Sequence, residues 1–143
     1  MLLYKTVVGI NKQLNKLITI PFPQLEMGSD SIARAGSLMA VKGAKKVLIV
    51  TDAVIHSLGM TDTLCDSLES KGIDYVIYDE VKPNPTIANV AVGADVFREQ
   101  NCNAIIAIGG GSPIDCAKAI GAKVVRDRPV RRLAGKLKIR KKK

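Results

Sequence analysis

The stretch Ala104-Ile105-Ile106-Ala107-Ile108-Gly109-Gly110-Gly111-Ser112-Pro113-Ile114-Asp115-Cys116-Ala117-Lys118 constrains the fold more than any other part of the chain. Its apolar run is short and bounded by Asn103 and Gly109, which suits a strand covered on both faces. Three glycines follow. They lose more conformational entropy on folding than other residues, so they belong where the backbone takes positive φ or approaches a ligand closely. Ser112 is suited to cap a helix, Pro113 to open it, and Asp115 stands three positions after that cap. The free N–H groups and partial positive charge of a helix N-terminus hold anions, most often phosphate. The stretch therefore predicts strand, turn and helix, and the glycines favour a phosphate cradle over a bare connection.

The rest of the chain repeats this alternation. Ser29 or Asp30 can cap a helix to about Lys42, with Ile32, Ala35, Leu38 and Met39 inward and Gly43 as its stop. Val47-Leu48-Ile49-Val50 reads as a buried strand ending in Thr51-Asp52, and Ala53 to Leu58 as a short helical turn. Thr61 is expected to cap a helix to about Lys71, with Leu64, Cys65 and Leu68 inward. Tyr75-Val76-Ile77-Tyr78 is the next strand, and Lys82-Pro83-Asn84-Pro85 a rigid loop. Thr86 caps a helix to about Gln100, with Ile87, Val90, Ala91, Ala94 and Phe97 inward. Strands alternating with helices predict an α/β fold, a Rossmann-like parallel sheet with helices on both faces. Ligands of such sheets bind beyond the strand C-termini. Thr51-Asp52, Pro83 to Thr86 and Gly109 to Ser112 all fall there.

Charge is divided sharply along the sequence. Residues 123–143 carry eleven Lys/Arg and one Asp, whereas residues 1–122 carry eleven Lys/Arg and twelve Asp/Glu. Any attraction to nucleic acid belongs to the tail alone, which has no aromatic residue for stacking on bases. A solvated connecting segment is the favoured reading of it. With 3% aromatic residues and no Trp, the core must be aliphatic. Cys65, Cys102 and Cys116 have neither the number nor the spacing of a disulfide framework or zinc site, so reduced thiols in the cytoplasm are expected. No apolar run reaches the length of a membrane span. Leu3, Val7, Ile10, Leu14 and Leu17 recur as one face of an N-terminal helix, docked on its own domain or a subunit, before Pro21 and Pro23 form a link.

The strand ends supply the candidate site groups. Asp52 can accept hydrogen bonds from both hydroxyls of an adenosine ribose, which favours NAD over NADP, or it can cap the helix after it. Asn84 can position a ligand or cap a helix beside Thr86. Asp115 and Lys118 share a helix face, where they can meet a ligand or simply complement the helix dipole and solvent. His56, the one histidine, has no acid cluster near it in sequence and is read as a loop or short-helix residue. Neither the Rossmann G-x-G-x-x-G nor the P-loop pattern is present.

With these motifs placed, the chain resembles the iron-containing (group III) alcohol dehydrogenases, whose G-G-G-S-x-x-D-x-A-K is matched by Gly109 to Lys118. Lys46 to Asp52 and Pro83-Asn84-Pro85-Thr86 are also family-like in order and spacing, and the likeness covers residues 24–122. It implies an N-terminal NAD(P)-binding α/β domain and a C-terminal all-helical domain. There an Asp and three His hold Fe²⁺, sometimes Zn²⁺, which polarises an alcohol for hydride transfer to NAD. Carried over, Gly110, Gly111 and Ser112 hold the pyrophosphate and Asp52 the adenine ribose. Asn84 and Asp115 line the cleft towards the nicotinamide ribose, and Gly109 and Lys118 complete the cofactor-binding set. The implied division is an N-terminal helix and linker over residues 1–23, the dinucleotide-binding domain over 24–122, and a basic tail over 123–143. The family's helical domain and its T-T-x-G-T-G-S-E stretch have no counterpart here. The expectation is a portion of an alcohol dehydrogenase that binds NAD without turning over an alcohol or aldehyde, with a second copy of the chain as a further expected partner; the alternatives are a noncatalytic nucleotide-binding or interaction module and nucleic-acid binding through the basic tail.

Overall fold

A computed structural model describes residues 27–126. The expected N-terminal helix and the basic tail from residue 127 onward lie outside the described residues. The elements are a 3₁₀ turn over Ile32–Arg34, α1 (Ala35–Val41), β1 (Lys46–Val50), α2 (Ala53–Ser57), α3 (Asp62–Glu69), β2 (Asp74–Tyr78), α4 (Ile87–Glu99), β3 (Ala104–Ala107) and α5 (Gly111–Val125). All strand pairs are parallel, in the order β2-β1-β3. Val47 stands opposite Tyr75 on one side and Ala104 on the other.

β1 is the centre of the molecule because its apolar residues are continuous. Leu48 and Val50 face one core with Val90 and Ala94 of α4 and Cys116, Ala117 and Ile120 of α5. Val47 and Ile49 face the other core, with Leu64, Cys65 and Leu68 of α3. Helices thus cover both faces, and residues 47–50 are wholly buried, as a central parallel strand requires. At the start of β1, Asn103 ties the strands together. Its Oδ1 accepts from Lys45 N at 2.9 Å and Lys46 N at 3.2 Å, and its Nδ2 donates to the Gly43 carbonyl.

Several local expectations are corrected. The helix expected from Ser29 starts as a 3₁₀ turn, and Ile32 is exposed; α1 itself runs only over Ala35–Val41. Ile87 is also exposed, because it opens the first turn of α4 beyond the edge of the core. Thr61 has helical torsions and its side chain caps nothing; Thr61 Oγ1 is buried without a hydrogen-bond partner. β3 is half-buried along its whole length although both its faces pack on the cores. Among the described residues no strand pairs with its outer edge.

Candidate functional site

The chain leaves β1 for β2 on one side and later returns to β3 on the other. The crevice between the C-terminal ends of β1 and β3 is therefore the switch point at which parallel sheets bind ligands. A groove of about 410 Å³ opens there. Its walls are Asp52, Ala53 and Val54 after β1; Val81, Lys82 and Pro83 after β2; and Gly110 to Pro113 after β3.

The glycines differ in what they do. Gly109 has φ +131°, and a Cβ there would stand 2.9 Å from Pro113 Cγ and 3.6 Å from Asp52 Oδ2. It is required by its torsion and by close packing across the turn. Gly110 has an ordinary φ of −78°, and nothing lies within 4 Å of a Cβ added at Gly110 or Gly111. These two need no left-handed backbone; what they leave is open space above the turn, which a Cβ would fill.

α5 begins two residues earlier than the sequence pattern suggests. Gly110, not Ser112, is its N-cap, without a side-chain bond, and Ser112 and Pro113 lie within the first turn. The N–H groups of Gly111 and Ser112 stand at the open end of the helix, Pro113 has none, and Ile114 N already bonds to the Gly110 carbonyl at 3.4 Å. The earlier start moves Asp115 beyond the first turn. It pairs instead with Lys118 Nζ at 3.3 Å, both side chains 72% exposed, and neither lines the groove.

Asp52 fills one of the two roles expected of it, that of a helix cap. Its Oδ1 caps α2, accepting from Val54 N at 3.1 Å and Ile55 N at 3.0 Å. Its Oδ2 lies 3.6 Å from where a Cβ on Gly109 would stand. Asn84 is exposed with φ +56° and does not line the groove, although its neighbours Lys82 and Pro83 do. It caps no helix either: Thr86 and Asn89 form a reciprocal capping box at the start of α4.

The structure also shows a contact that sequence spacing concealed. His56 Nδ1 lies 2.6 Å from Asp79 Oδ2. The two are far apart in the chain, but Asp52 and Glu80 form an isolated backbone bridge that brings their segments side by side. Buried thiols have no place in the site. Burial pushes Cys65, Cys102 and Cys116 above the ordinary thiol range, and all three are free. Among the described residues no three His, Cys, Asp or Glu side chains gather to hold a metal ion, and no helix is long and apolar enough to cross a membrane.

The sequence model of the iron-containing alcohol dehydrogenase family matches residues 23–143. The chain belongs to this family. Among curated relatives, the NAD-dependent methanol dehydrogenase of Bacillus methanolicus is 40% identical over 99 residues, 69% of this chain and 26% of that protein. The 1,3-propanediol dehydrogenase of Citrobacter freundii is 42% identical over 96 residues, 66% of this chain and 25% of that protein. The crystal structure of a 1,3-propanediol oxidoreductase superposes with a TM-score of 0.67 at 39% identity, over 69% of this chain and 26% of that one. An alcohol dehydrogenase from Oenococcus oeni gives a TM-score of 0.73 at 32% identity, over 77% and 29% respectively. The chain thus spans between a quarter and three tenths of the length of these relatives.

Proposed function

We propose that residues 24–122 are the dinucleotide-binding domain of an NAD-dependent alcohol dehydrogenase, acting in the cytoplasm. The open space above Gly110 and Gly111, at the switch point and across from Asp52, carries this reading. A pyrophosphate fits where a Cβ would otherwise stand, against the Gly111 and Ser112 N–H groups at the positive end of α5. Asp52 Oδ2 remains available to the adenine ribose after Oδ1 has capped α2. Asp52 would repel a 2′-phosphate, which favours NAD over NADP. Lys82 on the facing wall brings a cation to the same groove. Gly109, Asn84, Asp115 and Lys118 do not line the groove, so the proposed cofactor contacts rest on Asp52, Gly110, Gly111 and Ser112.

The nicotinamide supplies the hydride chemistry when bound, and these residues bind and orient it. The alcohol and the metal belong to the helical domain of longer relatives, so the 143-residue chain binds NAD but does not oxidise alcohols. Calorimetric titration of the pure chain with NAD tests the first statement, and no binding at millimolar NAD would overturn it. Metal-dependent NAD reduction by the pure chain with a simple alcohol would overturn the second.

A further inference from the structure

The wall of the groove after β1 and the wall after β2 belong to segments outside the regular sheet. A single isolated backbone bridge, Asp52 to Glu80, joins them. Beyond Glu80 the loop is tied to α4: Asn89 Nδ2 donates to the Glu80 carbonyl at 3.2 Å, and Tyr78 Oη donates to the Asn89 carbonyl at 3.0 Å. On the opposite side it is tied to α2 by His56 Nδ1 and Asp79 Oδ2, at 2.6 Å. His56 lies one helical turn after Asp52, and His56 N donates to the Asp52 carbonyl at 3.1 Å. The pair therefore links the element that presents Asp52, Ala53 and Val54 to the strand end that presents Val81, Lys82 and Pro83.

We propose that His56 and Asp79 are positioning residues for the groove, acting as a clasp that sets the distance between these two walls and hence the affinity for the dinucleotide. The affinity part rests on the nucleotide reading above. Two features separate this role from folding. The side chains are 40% and 38% exposed, and a contact that open to water contributes little to global stability. Below it the two segments are held by Thr51 N donating to the Tyr78 carbonyl at 2.9 Å, by the Asp52–Glu80 bridge and by buried Val81, so the effect of the pair is confined to the exposed end of the loop. An imidazolium, or a neutral imidazole protonated at Nδ1, donates to the carboxylate in the same geometry, so the clasp does not depend on one charge state.

The test uses the full 143-residue chain as the native sequence and as the variants His56→Ala and His56→Asn. The asparagine amide nitrogen stands near the place of Nδ1 and can donate to Asp79. Amide exchange at Glu80, Val81 and Lys82 is expected to quicken about tenfold in His56→Ala, with the amides of α4 and α5 unchanged. The dissociation constant for NAD is expected to rise about fivefold to tenfold, about 1 to 1.4 kcal/mol, and His56→Asn to recover most of both effects. Because His56 is the one histidine in the chain, its imidazole NMR signal reports the clasp directly and should shift as NAD is added. Unchanged exchange in His56→Ala overturns the clasp, whether or not the chain binds NAD. Weakened binding that His56→Asn fails to recover, or an imidazole signal indifferent to saturating NAD, overturns its role in affinity. If the native chain binds no NAD, the nucleotide reading falls with the affinity role, and exchange alone decides whether the clasp holds the loop.

Discussion

On the proposed nucleotide reading Gly111 and Asp52 each serve two ends, and substitutions can pull these apart. Gly111 lies inside α5, where alanine is the better helix former by up to about 1 kcal/mol. Nothing in the structure opposes a methyl group there except what enters the groove. Gly111→Ala is therefore expected to raise the urea midpoint slightly while weakening NAD binding about tenfold or more, two measurements moving in opposite directions. A glycine kept only for the turn would leave binding unchanged. Asp52→Asn separates charge from capping, because asparagine caps as well as aspartate. Its melting temperature should stay within about 2 °C of the native value. The preference for NAD over NADP should narrow about tenfold, since the carboxylate no longer repels a 2′-phosphate. Equal titrations with the two cofactors, giving an unchanged ratio, would count against Asp52 as the selecting group.

At this scale the sequence was informative where backbone geometry dictates residue type. Gly109 could be picked out because a tight turn at a strand end needs glycine, and Asp52 because a free helix start needs an acceptor; Gly110 and Gly111 stood out only as members of the same run, since their backbone does not demand glycine. Asp115 and Lys118 could not be placed, since one shift in the start of α5, from Ser112 to Gly110, carries both away from the first turn. His56 and Asp79 were invisible to spacing. They meet because two parallel strands end at the same level, a fact of register rather than of local sequence.

The elements show the same division. β1, β2 and α4 stand close to where periodicity puts them, because their apolar runs or caps are strong. The irregular start of α1 has a tertiary cause. Gly36 N donates to Ser67 Oγ at 2.9 Å, and Ser67 Oγ donates to the Ala33 carbonyl at 2.6 Å, so this turn is shaped by α3. A Cβ on Gly36 would overlap the Ser67 carbonyl and crowd the Ser67 side chain, so backbone would have to shift to admit it. Gly36→Ala is thus expected to destabilise the fold by about 3 kcal/mol, at the upper end for overpacking. Its effect should appear in the urea midpoint and spare residues of the α4–α5 side until global unfolding. A loss below about 0.5 kcal/mol, the size of an ordinary surface substitution, would show that α1 and α3 are free to separate. Glycine at position 36 gave no signal in sequence because its reason lies thirty-one residues away, at Ser67.

At the scale of the whole described region, residues 27–126 form a small sheet with an aliphatic core on each face, and each core holds cysteine beside its helices: Cys65 in one, Cys102 and Cys116 in the other. Burial is the largest cause of the upward shift at each thiol, and at Tyr78 as well. At Tyr75 the donated bond to Glu69 Oε1, 2.7 Å long, also favours the protonated phenol. All these groups are held neutral more firmly when folded than when unfolded. The unfolded chain thus releases their protons first, and stability declines as pH rises beyond the unfolded thiol value near 9.0. Urea midpoints should be level from about pH 7 to 8 and fall progressively from about pH 9 upward. Thiol-specific labelling gives the matching kinetic view. At pH 8 the native chain should react slowly at all three cysteines and the urea-unfolded chain quickly, because the thiolate is the reactive form and burial suppresses it. Rapid native labelling at Cys116, which is fully buried between β1 and α5, would mean that α5 detaches readily from the sheet. The groove would then lose the wall that carries its glycines, so rapid labelling should go with weak binding of the proposed dinucleotide.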